Sequence, residues 1–293
     1  MKNLIVDKKY NNKKLINLLM DTFDGLSMST IYKTLRKKDI KINDKRISEN
    51  CLVRTGDDIK IYIADEFLYK KIDVPIIYED NNILIFNKPS NLEVTGSNSL
   101  TAYAKKLFEK KENTFIEPCH RLDRNTSGLI LFAKNATSLN ELLYAFKHHQ
   151  IEKHYICAVY GIPQIKAQRL ESYLFKDSKK SQVYISDVPK KGYQKIITSY
   201  TLLKINKEKN ISLLDVHLET GRTHQIRAHL AHIGLPILGD GKYGVNKINK
   251  SFNLSHQQLS SYSIKLTFQP NYTLYYLNNI AFKQTNLPFI NLF

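Results

Sequence analysis

Apolar residues at Leu15, Ile16, Leu18, Leu19 and Phe23 are spaced as one face of a helix. Ser27-Met28-Ser29 follows where a second helix, running to about Lys38, would need a cap. Beyond it Ile40, Ile42, Ile47, Ile59, Ile61 and Ile63 alternate with polar residues as short strands. Turn signals at Asn43-Asp44 and Thr55-Gly56-Asp57-Asp58 separate them. These patterns set off residues 1–65 as a first module, and 66–75, ending in Val74-Pro75, as a linker. From 76 to 293 the pattern predicts a mixed body of strands and helices. Ile83–Phe86, Gly128–Ala133, Tyr155–Tyr160 and Ile211–Leu218 are apolar enough for strands, and Tyr262–Phe268 alternates as an edge or in-sheet strand. Helices are predicted over Ser99–Lys111 and Leu139–Phe146. The Asn-rich stretch from Leu274 to Phe293 shows no pattern, and no internal repeat is seen.

Charge narrows the class of partner. The chain carries 44 Lys and Arg against 27 Asp and Glu, a formal net of +17 over 293 residues. An anionic partner is expected, nucleic acid before membrane surface. A gene of biased base composition would also enrich Lys, Asn and Ile, so the Lys excess by itself discriminates little. Arg is more telling: there are 36 Lys and only 8 Arg, and four of those (Arg121, Arg124, Arg222, Arg227) fall in two short runs. Where Lys is the default cation, Arg marks places that need a planar, bidentate donor. In the first module the excess is local: Lys33–Arg46 holds seven basic and two acidic residues.

Apolar stretches are too short to span a bilayer, and the N-terminus does not read as a signal peptide. Cys51, Cys119 and Cys157 are odd in number and scattered, so no disulfide framework is expected and a reducing cytoplasm is.

Two runs carry the candidate chemistry. In Cys119-His120-Arg121-Leu122-Asp123-Arg124-Asn125-Thr126-Ser127-Gly128 one carboxylate stands among two guanidiniums and an imidazole, before a buried strand. Such cations favour an ionised carboxylate, which suits a nucleophile; spacing alone fits a surface salt-bridge loop as well. In Glu219-Thr220-Gly221-Arg222-Thr223-His224-Gln225-Ile226-Arg227, a tight turn leads to a helix start near Gln225, where an anion would be favoured. Arg227, one to two turns in, can reach a carboxylate of another segment. The run lacks the Lys-Ser/Thr of a nucleotide-binding loop. His217, His224, His229 and His232 do not have the spacing of the zinc-peptidase helix, so no metal is expected. Neither Cys119-His120 nor Ser127 has the setting of a nucleophile, and His148-His149 reads as a helix end.

Together, HRLDRNTSGLILFAK, EKHYICAVYG and LETGRTHQIRAHLAHIGLPILGDGKYG closely resemble the RluA-type pseudouridine synthases, with YEDNNILIFNKPSNLEVTG similar to that family's entry strand. The resemblance spans residues 76–270 and is nearest to the RluC and RluD branches. The run LSMSTIYKTLRKKDIKINDKRISENCLVRTGDDIKIYI resembles the S-four type RNA-binding domain. It departs at Asp39, where that family usually has Gly. The implied fold is α+β: a mixed, largely antiparallel catalytic sheet over 76–293 behind a small α/β RNA-binding domain over 1–65.

The implied activity is conversion of uridine in RNA to pseudouridine, without cofactor, metal or energy source, by a cytoplasmic monomer acting on ribosomal RNA. Asp123 takes the nucleophile's place in the motif, Tyr155 the place of the aromatic that stacks on uracil and helps remove the carbon 5 proton, and Arg227 that of the partner of the Asp. Arg121, Arg124 and Arg222 are expected to line the RNA approach, and Lys33, Arg36, Lys37, Lys38, Lys41 and Arg46 to contact RNA from the first module. Asn91, Thr95, Asn125, Leu235 and Ser260-Ser261 depart from the family's usual residues outside the Asp, Tyr and Arg. A catalytically silent RNA-binding assembly factor is the competing reading, and a metal-dependent nuclease a third.

Overall fold

The computed structural model describes residues 1–23, 25–68, 73–109 and 115–293. They form two compact units, Met1–Asp73 and Val74–Phe293.

In the first unit the expected stripe forms the helix Leu15–Thr22, with Leu15, Ile16, Leu18 and Leu19 buried. Ser27 caps the helix Met28–Arg36, its Oγ accepting the Thr30 N–H at 3.1 Å. That helix ends short of residue 38 because Lys38 adopts a left-handed φ of 58°. The Asp39 N–H bonds to the Thr34 carbonyl and the Lys38 N–H to that of Leu35, a Schellman ending. The left-handed position is therefore Lys38, and Asp39 needs no glycine-like geometry. Four antiparallel strands lie side by side in the order Lys2–Ile5, Asp58–Ile61, Ile40–Ile42, Lys45–Ile47. Asn43 and Asp44, at φ of 49° and 65°, make the tight turn between two of them. The strand Lys2–Ile5 had no clear alternation to announce it; it pairs along Asp58–Ile61.

The expected boundary at residue 65 moves. A helical turn, Asp65–Leu68, follows the sheet, and Leu68 is fully buried in the same core as Leu19, Ile31 and Ile59. The first unit thus runs into the stretch expected to be linker, of which residues 69–72 lie outside those described.

In the second unit nine strands follow one path among the described residues: Gln182–Ser186, Ala167–Asp177, Gln194–Asn206, Ile211–Leu218, Ile151–Tyr160, Leu259–Leu266, Ser127–Ala133, Ile83–Lys88 and Ile76–Glu79. The three strands between Ala167 and Asn206 are not evident in the sequence, because only three of the eleven residues of Ala167–Asp177 and three of the thirteen of Gln194–Asn206 are buried, too few for a clear apolar alternation. Leu259–Leu266 takes the in-sheet alternative, between Ile151–Tyr160 and Ser127–Ala133. It begins before Tyr262 because Ser260 and Ser261 pair with Tyr155, Ile156, Ser127 and Gly128.

Ser127–Ala133 runs parallel to Leu259–Leu266, while the other pairings along the path are antiparallel. Gly128 permits that crossing: its φ is +104°, and a Cβ there would lie 2.2 Å from the Ser261 carbonyl oxygen.

Helix Ala136–Lys147, capped by Asn135 Oδ1 on the Ser138 N–H at 2.8 Å, packs Leu142 and Ala145 into the core that holds Leu129 and Leu131. Helix Leu100–Leu107 has Ser99 as its cap; residues 110–111 of the predicted span lie outside those described. The unread C-terminal stretch is ordered by packing: Leu274 and Leu277 enter the core, and Ala281–Lys283 pairs with Ser263–Lys265. No helix among the described residues is long and apolar enough to cross a membrane.

Candidate active site

Asp123 lies on the turn that feeds Ser127–Ala133, where the Thr126 N–H closes onto the Asp123 carbonyl at 3.0 Å. Two side chains, one half-buried and one fully buried, hold this loop. His120 Nε2 accepts the Leu131 N–H at 3.1 Å, which places its ring proton on Nδ1. Burial, with Lys153 nearby, pushes His120 down to about 3, so it stays neutral and braces the loop. Lys88, fully buried at the end of its strand, donates to the carbonyls of Pro89, Leu92 and Arg124 at 2.9, 2.8 and 3.0 Å. Burial lowers it to about 8, against the pull of Asp123. Lys88 thereby ties the entry loop to the Asp123 loop. Asn91 reinforces the tie: at φ 63° it fills a left-handed position that Asn tolerates, and its Oδ1 accepts Arg124 Nε at 3.0 Å.

Arg227 comes from helix Gln225–His232, which starts where the sequence predicts, and is 8% exposed. Its Nη1 donates to Asp123 Oδ2 at 2.8 Å. On its other edge Nε and Nη2 form a bidentate pair with Asp240, at 2.7 and 3.0 Å. Tyr243 lies under the guanidinium, 5.3 Å from ring centre to Cζ. Burial alone would raise the Asp240 carboxyl, but the Arg227 bonds and the backbone N–H groups of Lys242 and Tyr243 hold it below its ordinary value. Burial likewise opposes the charge on Arg227, and the two carboxylates more than offset it. Gly239 lets the Asp240 turn pass: a Cβ would lie 2.0 Å from the His256 carbonyl oxygen.

His224 stands beside the pair, with Nε2 at 3.9 Å from Asp123 Oδ2 and Nδ1 at 2.9 Å from the Tyr243 hydroxyl. That hydroxyl accepts the Val183 N–H at 2.9 Å, so it is free to donate to Nδ1 and leave Nε2–H toward Asp123. Burial lowers the His224 pKa. Tyr155 is 6% exposed on Ile151–Tyr160, just past a shift in register against Leu259–Leu266. Burial and the Asp123 charge push its hydroxyl up, so it is a phenol at neutral pH.

A cleft of about 950 Å³ gathers Asp123, Tyr155, Arg227, Arg121 and Arg222. A second hollow of about 600 Å³ is lined by Arg124 and again by Arg121, Asp123 and Arg227. The predicted residues of the second unit therefore share one region, with Asp123 and Arg227 lining both hollows. The Lys33, Arg36, Lys37, Lys38, Lys41 and Arg46 group belongs to the first unit, at one end of helix Met28–Arg36 and on two paired strands. There Lys41 Nζ and Arg46 Cζ lie 5.7 and 5.9 Å from the centre of the half-exposed Tyr62 ring.

Lys88, Asp240, Tyr243 and His224 were not assigned roles by the sequence. Their signal was weak: Asp240 sits in a Gly-Asp-Gly turn, where an Asp is ordinary, and Lys88 precedes a Pro among many other lysines. Among the histidines, His229 bonds to Thr198 and Ser172 and His232 to Asp187, so these two serve separate local contacts.

A buried Arg held between two carboxylates thus stands beside a buried Tyr in the middle of a largely antiparallel sheet. Residues 82–232 match the RNA pseudouridylate synthase family. The chain belongs to this family of RNA-acting isomerases. It is 33% identical over 268 residues to the ribosomal large subunit pseudouridine synthase C of Buchnera aphidicola subsp. Acyrthosiphon pisum, covering 87% of this chain and 84% of that protein. To an uncharacterized RNA pseudouridine synthase of Mycoplasma capricolum it is 37% identical, covering 85% and 87%. The fold is shared with human RNA pseudouridylate synthase domain containing 1, at a TM-score of 0.58 and 20% identity over 75% of this chain and 92% of that one.

Proposed function

We propose that the protein converts specific uridines of large-subunit ribosomal RNA to pseudouridine, with Asp123 as nucleophile. The observation that carries the reading is the Arg227 bridge, which fixes Asp123 in a cleft that also presents Tyr155. Two relatives of the chain support ribosomal RNA as the substrate: the synthases C of Buchnera and Haemophilus influenzae, the latter 30% identical over 291 residues.

The target base leaves the RNA stack and enters the cleft, where the Tyr155 ring offers a stacking face. The Asp123 carboxylate attacks carbon 1 of the ribose as its bond to uracil N1 breaks. The freed base turns, and its carbon 5 bonds to carbon 1 of the ribose as the bond from that carbon to Asp123 breaks and the carboxylate leaves. Loss of the carbon 5 proton restores the ring while nitrogen 1 ends protonated. Because Tyr155 is a phenol at rest, its part at carbon 5 begins as stacking and hydrogen bonding, with no standing phenolate. Arg227 keeps Asp123 aimed, and Asp240 keeps Arg227 in place. Arg121, Arg124 and Arg222 meet the flanking phosphates. No cofactor or metal enters the chemistry.

Residues 1–73 serve as an S-four type RNA-binding unit, through the cationic cluster around Tyr62. The protein works as a cytoplasmic monomer. Mapping pseudouridine in ribosomal RNA from a deletion strain tests the reading: at least one modified position should be lost, and restored by the wild-type gene. A full set of pseudouridines in the deletion strain would refute it.

A further inference from the structure

Glu152 and His154 alternate on Ile151–Tyr160, so both project from one face of the sheet. His217 lies opposite His154 on Ile211–Leu218, its ring stacked on that of His154 with centroids 5.0 Å apart. Asp215, two residues before His217, shares that face. Two strands thus bring two imidazoles and two carboxylates together at the edge of the cleft, which Glu152 and His217 help to line. The Asp123 chemistry uses none of them.

From this arrangement we infer that Glu152, His154 and His217 form a binding site for a divalent metal ion of the zinc class, with Asp215 orienting His154. One donor atom from each of Glu152, His154 and His217 lies within 4.8 Å of the others. Ligands about 2.0–2.1 Å from a tetrahedral zinc are spaced about 3.3 Å apart, a gap that small side-chain rotations close. His154 Nε2 and Glu152 Oε1 are already 2.8 Å apart. On the far side of the ring, Nδ1 meets Asp215 Oδ1 at 2.8 Å. A carboxylate on Nδ1 is the arrangement that orients a ligating imidazole. Nε2 is hydrogen-bonded to Glu152 Oε1 in the metal-free chain, and the ion takes the place of the proton that these two atoms share. Two imidazoles and one carboxylate suit zinc or cobalt better than calcium or magnesium, which favour oxygen donors.

Three protein ligands leave a coordination position for water or an RNA oxygen. The setting gives the ion a consequence, because Glu152 and Asp215 place two carboxylates around His154 beside a cleft wall that otherwise carries Arg121, Lys153 and Arg222, while Glu219 is already paired with Arg169. A bound dication offsets that charge where RNA phosphates must pass. The ion acts on the rim and takes no part in bond cleavage.

Titrating Co²⁺ into the untagged, full-length, metal-stripped protein tests the site. The wild type should bind one ion per chain at micromolar concentrations, with the d–d absorption of a tetrahedral cobalt site, and Zn²⁺ should displace it. Glu152→Gln and His217→Ala should each weaken binding about tenfold or more, and Asp215→Asn by about 10–100-fold. His232→Ala, which removes an imidazole paired with Asp187 outside the cluster, should bind as the wild type does. No saturable cobalt or zinc uptake by the wild type would overturn the site, as would undiminished binding by both Glu152→Gln and His217→Ala. Glu152 is half-exposed, so its variant should remain folded and keep the test decisive.

Discussion

Arg227 is held between two carboxylates: one edge of its guanidinium is clamped by Asp240 at 2.7 and 3.0 Å, and the remaining nitrogen reaches Asp123 at 2.8 Å. Asp240 is fully buried while Asp123 opens onto the cleft, so the first serves as the fixed anchor and the second as the end presented to the cleft. The pair of bonds to Asp240 removes the guanidinium's freedom to turn away, which pre-organises the Asp123 carboxylate at the cleft surface.

Asp240 should therefore matter to both stability and turnover. Asp240→Ala leaves a buried guanidinium with one partner, and is expected to cost about 3–5 kcal/mol of stability in denaturant titration. Asp240→Asn keeps the shape and should fold better, yet lower kcat by about 10²-fold, the scale of a small misplacement at a reacting centre. A folded Asp240→Asn with wild-type kcat would show that Asp240 does not position Arg227.

Lys88 predicts a pH dependence. Its pKa falls to about 8 in the folded chain from an ordinary 10.5, so between these values the unfolded chain holds a proton that the folded chain lacks. Stability from this group must then rise with pH across that window, by up to ~3 kcal/mol in all. Lys88→Met should erase the rise, and should lower stability at every pH because three carbonyls, that of Leu92 buried, lose their donor. Denaturation midpoints of both proteins from pH 7 to about pH 10.5 check the sign.

Gly128 tests the parallel crossing behind Asp123. With a Cβ 2.2 Å from the Ser261 oxygen, Gly128→Ala must push two central strands apart. The positive φ alone costs about 1–3 kcal/mol for a residue other than Gly. A loss larger than that is expected in thermal or chemical unfolding; a wild-type midpoint would mean the strands can separate without cost.

The cationic cluster of the first unit makes a separate prediction. Replacing Arg36, Lys37, Lys41 and Arg46 together by Ala should weaken RNA binding and flatten its salt dependence. The log–log slope should fall by about 0.7–0.9 for each phosphate that the protein no longer neutralises. An unchanged slope would mean that this unit does not touch RNA.

How much of this was legible in the sequence follows from the range of the interactions. The helix stripe at Leu15–Leu19, the Ser27 cap and the Asn43-Asp44 turn are local, and each formed where its residues predicted it. Arg227 stood out because Arg is scarce here and its run resembled a known motif. Asp240 did not, because its partner lies 13 residues away and a buried Asp looks like a turn Asp until the chain closes. Lys88 was hidden by an abundance of surface lysines. The cluster of Glu152, His154 and His217 was invisible for a further reason: its members meet through strand register, which histidine spacing along one segment does not reveal. Leu68 likewise reads as linker until the core it fills is present.

The most direct measurement is tritium release from RNA carrying uridine labelled at carbon 5, with RNA affinity measured in parallel for the wild type and Asp123→Asn. The wild type should release tritium, and Asp123→Asn should bind the same RNA within a few-fold while releasing none above background. Turnover by Asp123→Asn near the wild-type rate would contradict the assignment of Asp123 as the nucleophile.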